Sequence, residues 1–171
     1  MAYANLDDLA RAATGGWGEL AQRASATSAT DVPVAGALLQ ATAAGADRSP
    51  WPPEQQLAAD AALLRLHDAL ERASRHADTY LFPRYRQALP LAPALVQGSD
   101  LPSVVAAIAL KRLYGTSVPE DLRRGTQWAD DYLLALSKGN ASLGAADLSV
   151  AQPAGQTRVQ APAKAIDWSR Y

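Results

Sequence analysis

Apolar positions fall at helical spacing in some stretches of the chain and lose all period in others. In residues 5–13, NLDDLARAA, Leu6, Leu9, Ala10 and Ala13 recur on one face behind Asn5 as a cap, with Asp7 and Asp8 in the positive first turn. Residues 15–53 change character: three glycines in TGGWGEL, a Ser/Thr/Ala run through Thr30, a small apolar patch from Val32 to Leu39, then SPWPP. Weak signals at 17–24 and 34–43 allow short helices, but the stretch reads as an irregular excursion stopped by Pro50, Pro52 and Pro53. Residues 54–81 hold the strongest helical signal, rich in Ala, Leu, Glu and Arg with no Gly or Pro. Leu57, Ala61, Leu64, Leu70, Ala73, Ala77 and Leu81 predict a long apolar stripe facing the core, widened by Leu63 and Leu66.

Pro83, Pro90 and Pro93 predict an extended, turning crossing after that helix. Leu101, Val104, Val105, Ile108 and Leu113 predict a buried helix over 101–114 of about four turns, closed by Gly115. Ser117 and Glu120 have capping-box spacing around Pro119, and Leu122, Ala129, Tyr132, Leu133 and Leu136 carry a last helix over 118–138, ended by Lys138 and Gly139. Period is lost after Leu143. The fold class is all-α: about four main helices with proline-rich irregular connections, in one helical domain over 1–145 that includes the 15–53 excursion, followed by an extended C-terminal arm over 146–171.

Length agrees with one domain, since 171 residues fall in the usual range. Ala supplies much of the 49% of hydrophobic residues, and with one Phe and one Met the core is thin for its length. A net charge of −1 disfavours a polybasic role toward nucleic acid or an anionic membrane. Zero Cys excludes disulfides, thiolate metal sites and a thiol nucleophile. No apolar run approaches a membrane span, and the acids near the N-terminus do not follow signal-peptide order, so synthesis in the cytoplasm is expected.

Candidate chemistry is sparse. His67 and His76 lie nine positions apart on one helix and point to nearly opposite faces, so they cannot share a metal. Asp60, Asp68, Glu71 and Asp78 alternate with Arg65, Arg72 and Arg75 at ion-pair spacings, which suits solvated pairs better than an acid/base dyad. GGWG at 15–18 lacks the strand and lysine of a phosphate loop, and no nucleophile elbow occurs. No catalytic, cofactor or metal residue is therefore expected. Three basic pairs, Arg84 with Arg86, Lys111 with Arg112, and Arg123 with Arg124, would form a nucleic-acid stripe only if the fold united them.

The order of the segments carries a resemblance. A long helix runs into Asp78, Tyr80 and Leu81, then Arg84-Tyr85, then Pro90-Leu91; a helix ending in Lys111-Arg112-Leu113-Tyr114 follows, then PEDLRR from Pro119 and Trp128 before the helix-end glycine. This pattern resembles the Mu-like phage and prophage head–tail adaptor family, over residues 3–13 and 54–143, with 15–53 as an expanded connection and 146–171 as a terminal extension. The resemblance implies a small helical structural protein in the neck of a virion. It would form a homo-oligomeric, twelvefold ring on the portal protein, receive a stopper or tail terminator on its other side, and let phage DNA pass through the lumen without sequence-specific recognition. No cofactor and no membrane are implied.

Such a role assigns interface positions rather than catalytic ones. Ile166, Trp168 and Tyr171 beside Arg158, Lys164 and Arg170 have the composition of interface anchors, so the arm is expected to dock on the portal or on an adjacent subunit. Arg84 and Arg86 are candidates for the same boundary. Asp78, Tyr80, Leu81, Tyr85, Pro90, Tyr114 and Trp128 are expected to pack or carry the family signature, with Trp128 on the periodic face of the last helix. Trp51 is placed to pin the 15–53 excursion. A stopper or tail-completion protein of the same neck, and a small DNA-binding packaging factor, are the alternatives.

Overall fold

The computed structural model of the chain describes residues 2–25, 32–144 and 147. The predicted arm, including Arg158, Lys164, Ile166, Trp168, Arg170 and Tyr171, lies outside the described residues except for Asp147. Seven helices and no strand occur among the described residues: α1 (Leu6–Ala12), α2 (Gly16–Ser25), α3 (Gly36–Ala44), α4 (Pro53–Tyr85), α5 (Pro93–Gln97), α6 (Leu101–Leu113) and α7 (Glu120–Lys138). The all-α class holds, with more helices than the four main ones expected.

The spine is α4, whose 33 residues extend for about 50 Å. Against it lies α6, with Leu101 and every residue from Val104 to Leu110 buried. Its small side chains, Ala106, Ala107 and Ala109, let α1, α4 and α7 approach closely around it. At the start of the chain, Asn5 and Asp8 form a reciprocal capping box on α1. Tyr3 locks that end onto α4: its backbone N–H donates to Ser74 Oγ at 3.0 Å and its hydroxyl donates to Asp78. Gly115 and Gly139 take left-handed conformations just after α6 and α7, as their positions predicted.

The structure corrects four expectations. The excursion over 15–53 contains α2 and α3, which bury Leu20, Ala21, Ala24, Leu38 and Leu39 and pack on each other and on α4. Their approach is backbone to backbone: a Cβ on Gly36 would lie 2.7 Å from the Gly18 nitrogen, so the glycines there mark close packing as well as turns. Trp51 does pack against the core. The long helix continues through Pro83 to Tyr85. Pro83 is on the exposed face, so its missing donor leaves a carbonyl toward solvent, while Leu81 and Tyr85 remain buried.

The capping box expected at Ser117 and Glu120 does not form. Pro119 caps α7 without a side-chain hydrogen bond, and the Glu120 carboxylate is taken by Arg123 at 2.5 Å and Arg124 at 2.9 Å. Finally, the buried face of α4 is set by Ala58, Ala59, Ala62, Leu66, Ala69, Leu70, Ala73, Ala77 and Leu81. Leu57, Ala61 and Leu64, expected in that stripe, face solvent.

Two buried phenols tie distant segments to carboxylates. Burial and a hydrogen bond to Asp78 push the Tyr3 hydroxyl far above the ordinary tyrosine range, and burial with Asp147 does the same to Tyr85. Unfolded tyrosines lose their protons near pH 10, while these two keep theirs, so above that pH the folded state binds more protons and stability falls as pH rises. The melting temperature is expected to drop steadily from about pH 9.5 to about pH 11.5. A Tyr3→Phe, Tyr85→Phe double variant should show a flatter profile in the same thermal scans, and an unchanged slope would contradict the assignment.

Candidate functional site

Two surface features stand apart from the packed body. The first is a cleft of about 840 Å3 between α1 and α2 on one side and the first half of α7 on the other, floored by α6. Ser103, Ala107, Leu110 and Tyr114 recur along α6 at intervals of three and four, so one helix face forms the floor. The α2 wall is fastened by Glu19, which accepts from the Gly15 backbone N–H at 2.9 Å and from the Tyr114 hydroxyl. That hydrogen bond, with some burial, raises the Tyr114 phenol above its usual range. The Arg23 guanidinium sits over the Tyr114 ring at 4.0 Å, while its buried Nε has no hydrogen-bond partner. On the α7 side Leu122, Gly125 and Trp128 line the cleft. Trp128 was expected to pack on the periodic face; Ala129 takes the buried position instead, and Trp128 is 46% exposed at the cleft.

The second feature is a ridge on the outer face of α4. Leu57 and Leu64 are each 70% exposed, seven residues apart with exposed Ala61 between them, and so lie along one side of the helix. None of the cleft residues comes from α3, α4 or α5.

The signature residues of the central segment close the body at the end of α4. Asp78 accepts from Tyr3, and Tyr80 stands edge-on to His76 with ring centres 5.3 Å apart. Leu81 is fully buried, and Pro90 follows a cis peptide bond ahead of buried Leu91. Arg84 donates to the Ala141 carbonyl at 2.6 Å, and Tyr85 donates to Asp147 Oδ2 at 2.5 Å. Asp147 also accepts from the Leu143 backbone N–H at 3.1 Å, so the chain after α7 is fastened to the last turn of α4. The Arg84 guanidinium is thus used inside the chain, whereas Arg86 is exposed.

A family model described as bacteriophage Mu, Gp36 matches residues 3–161. The chain belongs to this Gp36 family. It is therefore a Mu-type phage protein. The match extends over the 15–53 stretch and into the arm as far as residue 161, both of which the resemblance had set aside as additions. Comparison with curated proteins and with solved structures found no match.

In this Gp36 chain the cleft gathers Asp8, Arg11, Glu19, Arg23, Tyr114 and Asp121. Among the described residues no group of three or more His, Asp or Glu side chains is placed to hold a metal ion, and no helix is long and apolar enough to cross a membrane. His67 is exposed; His76 is half-buried near Arg112, and burial followed by that positive charge lowers its pKa. Of the ion pairs that the spacing on α4 suggested, Asp68 with Arg72 forms at 2.8 Å, whereas Asp60 reaches Arg48 outside the helix at 2.5 Å, Asp78 accepts from Tyr3, and Arg65 donates to the Ala24 carbonyl. Of the three basic pairs, Lys111 comes together with Arg123 and Arg124, but Glu120 and Asp130 lie among them and pair with them. Arg84 and Arg86 are elsewhere, with Pro83 and Gln87. The ridge residues Leu57, Ala61 and Leu64 were legible as apolar but read as core-facing, and the four-helix cleft had no sequence signal of its own.

Proposed function

We propose that this Gp36-family protein is a structural component of the virion neck: a head–tail adaptor, made in the host bacterial cytoplasm, that forms a ring between portal and stopper or tail terminator. It acts by assembly and not by catalysis, and phage DNA passes through its lumen without being read. The family match supports a phage protein, and the observation that carries the assembly reading is the ridge of Leu57, Ala61 and Leu64. Exposed leucines in register on a helix that already buries its other face are what a contact with another copy requires. The ridge meets a different surface on the next copy. Such a head-to-tail contact, repeated by rotation, closes a ring.

The remaining boundary residues extend this reading. Arg86, exposed at the end of α4, and the arm residues Arg158, Lys164, Ile166, Trp168, Arg170 and Tyr171 engage the portal or the adjacent subunit in the assembled neck. Arg84 acts there indirectly, by holding the chain that leads to the arm.

Light scattering on the chain, alone and mixed with the portal protein of the same phage, tests the proposal. A ring-sized mass in the mixture is expected, and a Leu57→Lys, Leu64→Lys variant with unchanged helix content should lose it. A chain that ignores portal and instead shifts duplex DNA with a steep salt dependence would overturn the adaptor in favour of the packaging factor.

A further inference from the structure

The cleft between α1, α2 and α7 is lined for a peptide of mixed character. Leu122 and Trp128 offer apolar surface over buried Leu110, Arg11, paired with Asp8, and Arg23 line the cleft with positive charge, and Asp121 offers an exposed carboxylate. One segment of this chain carries the matching pattern. Residues 164–171, KAIDWSRY, set Ile166, Trp168 and Tyr171 among Lys164, Asp167 and Arg170, so that apolar groups alternate with charges of both signs. A buried aromatic side chain covers about 150–250 Å2, and a cleft of about 840 Å3 is of the size that receives such groups.

We infer that in the free chain residues 164–171 fold back into this cleft of the same molecule, with Trp168 against Trp128 and Leu122. The connection favours its own copy. Asp147 is held to Tyr85 beside the end of α7, and from Lys138 back to Trp128 and Leu122 along α7 is about 15–24 Å. The seventeen-residue step from Asp147 to Lys164, with Gly155 and prolines at 153 and 162, has a root-mean-square span of about 23 Å if it behaves as a flexible chain. A tether whose length matches the gap gives the highest local concentration, in the millimolar range for short flexible linkers. Competing contacts with other copies at low micromolar protein are correspondingly rare. The family match ends at residue 161, ahead of the docked segment. This inference concerns the free chain and does not depend on the neck assignment: the same aromatic tip that would reach a partner is stored until one is present.

The chain contains no cysteine, which makes the test direct. In the full-length protein, Gln22→Cys in the cleft wall is combined with Ser169→Cys and mild oxidation is followed at low micromolar concentration. A disulfide at monomer mass is expected, forming at a rate independent of protein concentration and at least about tenfold faster than in a Glu71→Cys, Ser169→Cys control, whose first site lies on the exposed face of α4. Adding Trp128→Ser, a change at a half-exposed position that the body does not need for packing, should slow the reaction toward the control. Equal rates in the two pairs, a disulfide that joins two copies, or indifference to Trp128→Ser would each overturn the inference.

Discussion

Tyr85→Ala is expected to lower stability by about 3–5 kcal/mol, the usual cost of truncating a buried aromatic side chain. For a chain of this length the melting temperature should fall by on the order of 10 °C. Tyr85 heads the fully buried side chains and is only 1% exposed. Its ring occupies the last turn of α4 beyond Pro83, and its hydroxyl ends at Asp147, so truncation opens a cavity and releases the segment after α7 together. Tyr85→Phe separates the two effects. It keeps the ring and removes one hydrogen bond, so about 1 kcal/mol is expected. Thermal unfolding followed by circular dichroism measures both; equal losses would mean that the ring contributes little beyond its hydroxyl.

Gly36→Ala is expected to destabilise by about 1–3 kcal/mol, whereas Gly18→Ala, on the facing helix, should stabilise by about 0.5–1 kcal/mol. The opposite signs come from a single contact. A Cβ on Gly36 would meet Gly18 N at 2.7 Å and Gly18 Cα at 2.8 Å, which are backbone atoms with no rotamer to move away, so α2 and α3 would have to separate. A Cβ on Gly18 meets nothing within 4 Å and lies inside α2, where alanine is the better helix former. Chemical denaturation of the two variants decides it. Two changes of the same sign would mean that the helices do not meet through their glycines.

These cases show where a linear pattern carries information and where it does not. The buried run of α6 and the glycine stops at Gly115 and Gly139 were legible because each depends on residues a few positions apart. The packing of α2 on α3 was not, since a glycine that allows close approach reads the same as one that makes a turn. On α4 the difficulty was an excess of apolar residues: alanines and leucines supply two faces, and only the positions of α2, α3 and α6 decide that Ala58, Ala62 and Leu66 go inward while Leu57 and Leu64 stay out. The cleft joins residues from four helices separated by up to 120 positions, a distance at which spacing says nothing. Trp128 illustrates both limits, since its period fits the α7 face but its neighbour Ala129 fills the space.

The placement of α1 also orders events on the ribosome. This seven-residue helix is too short to persist alone; it packs on α6 and α2, and Tyr3 just ahead of it is held by Ser74 and Asp78 of α4. It leaves the exit tunnel first, yet its binding surface is complete only after Leu113 has been added. At bacterial elongation rates that interval is about 5–20 s. A nascent chain arrested before residue 101 should therefore present the segment from Tyr3 to Ala13 to proteases, and one arrested well beyond residue 113 should protect it.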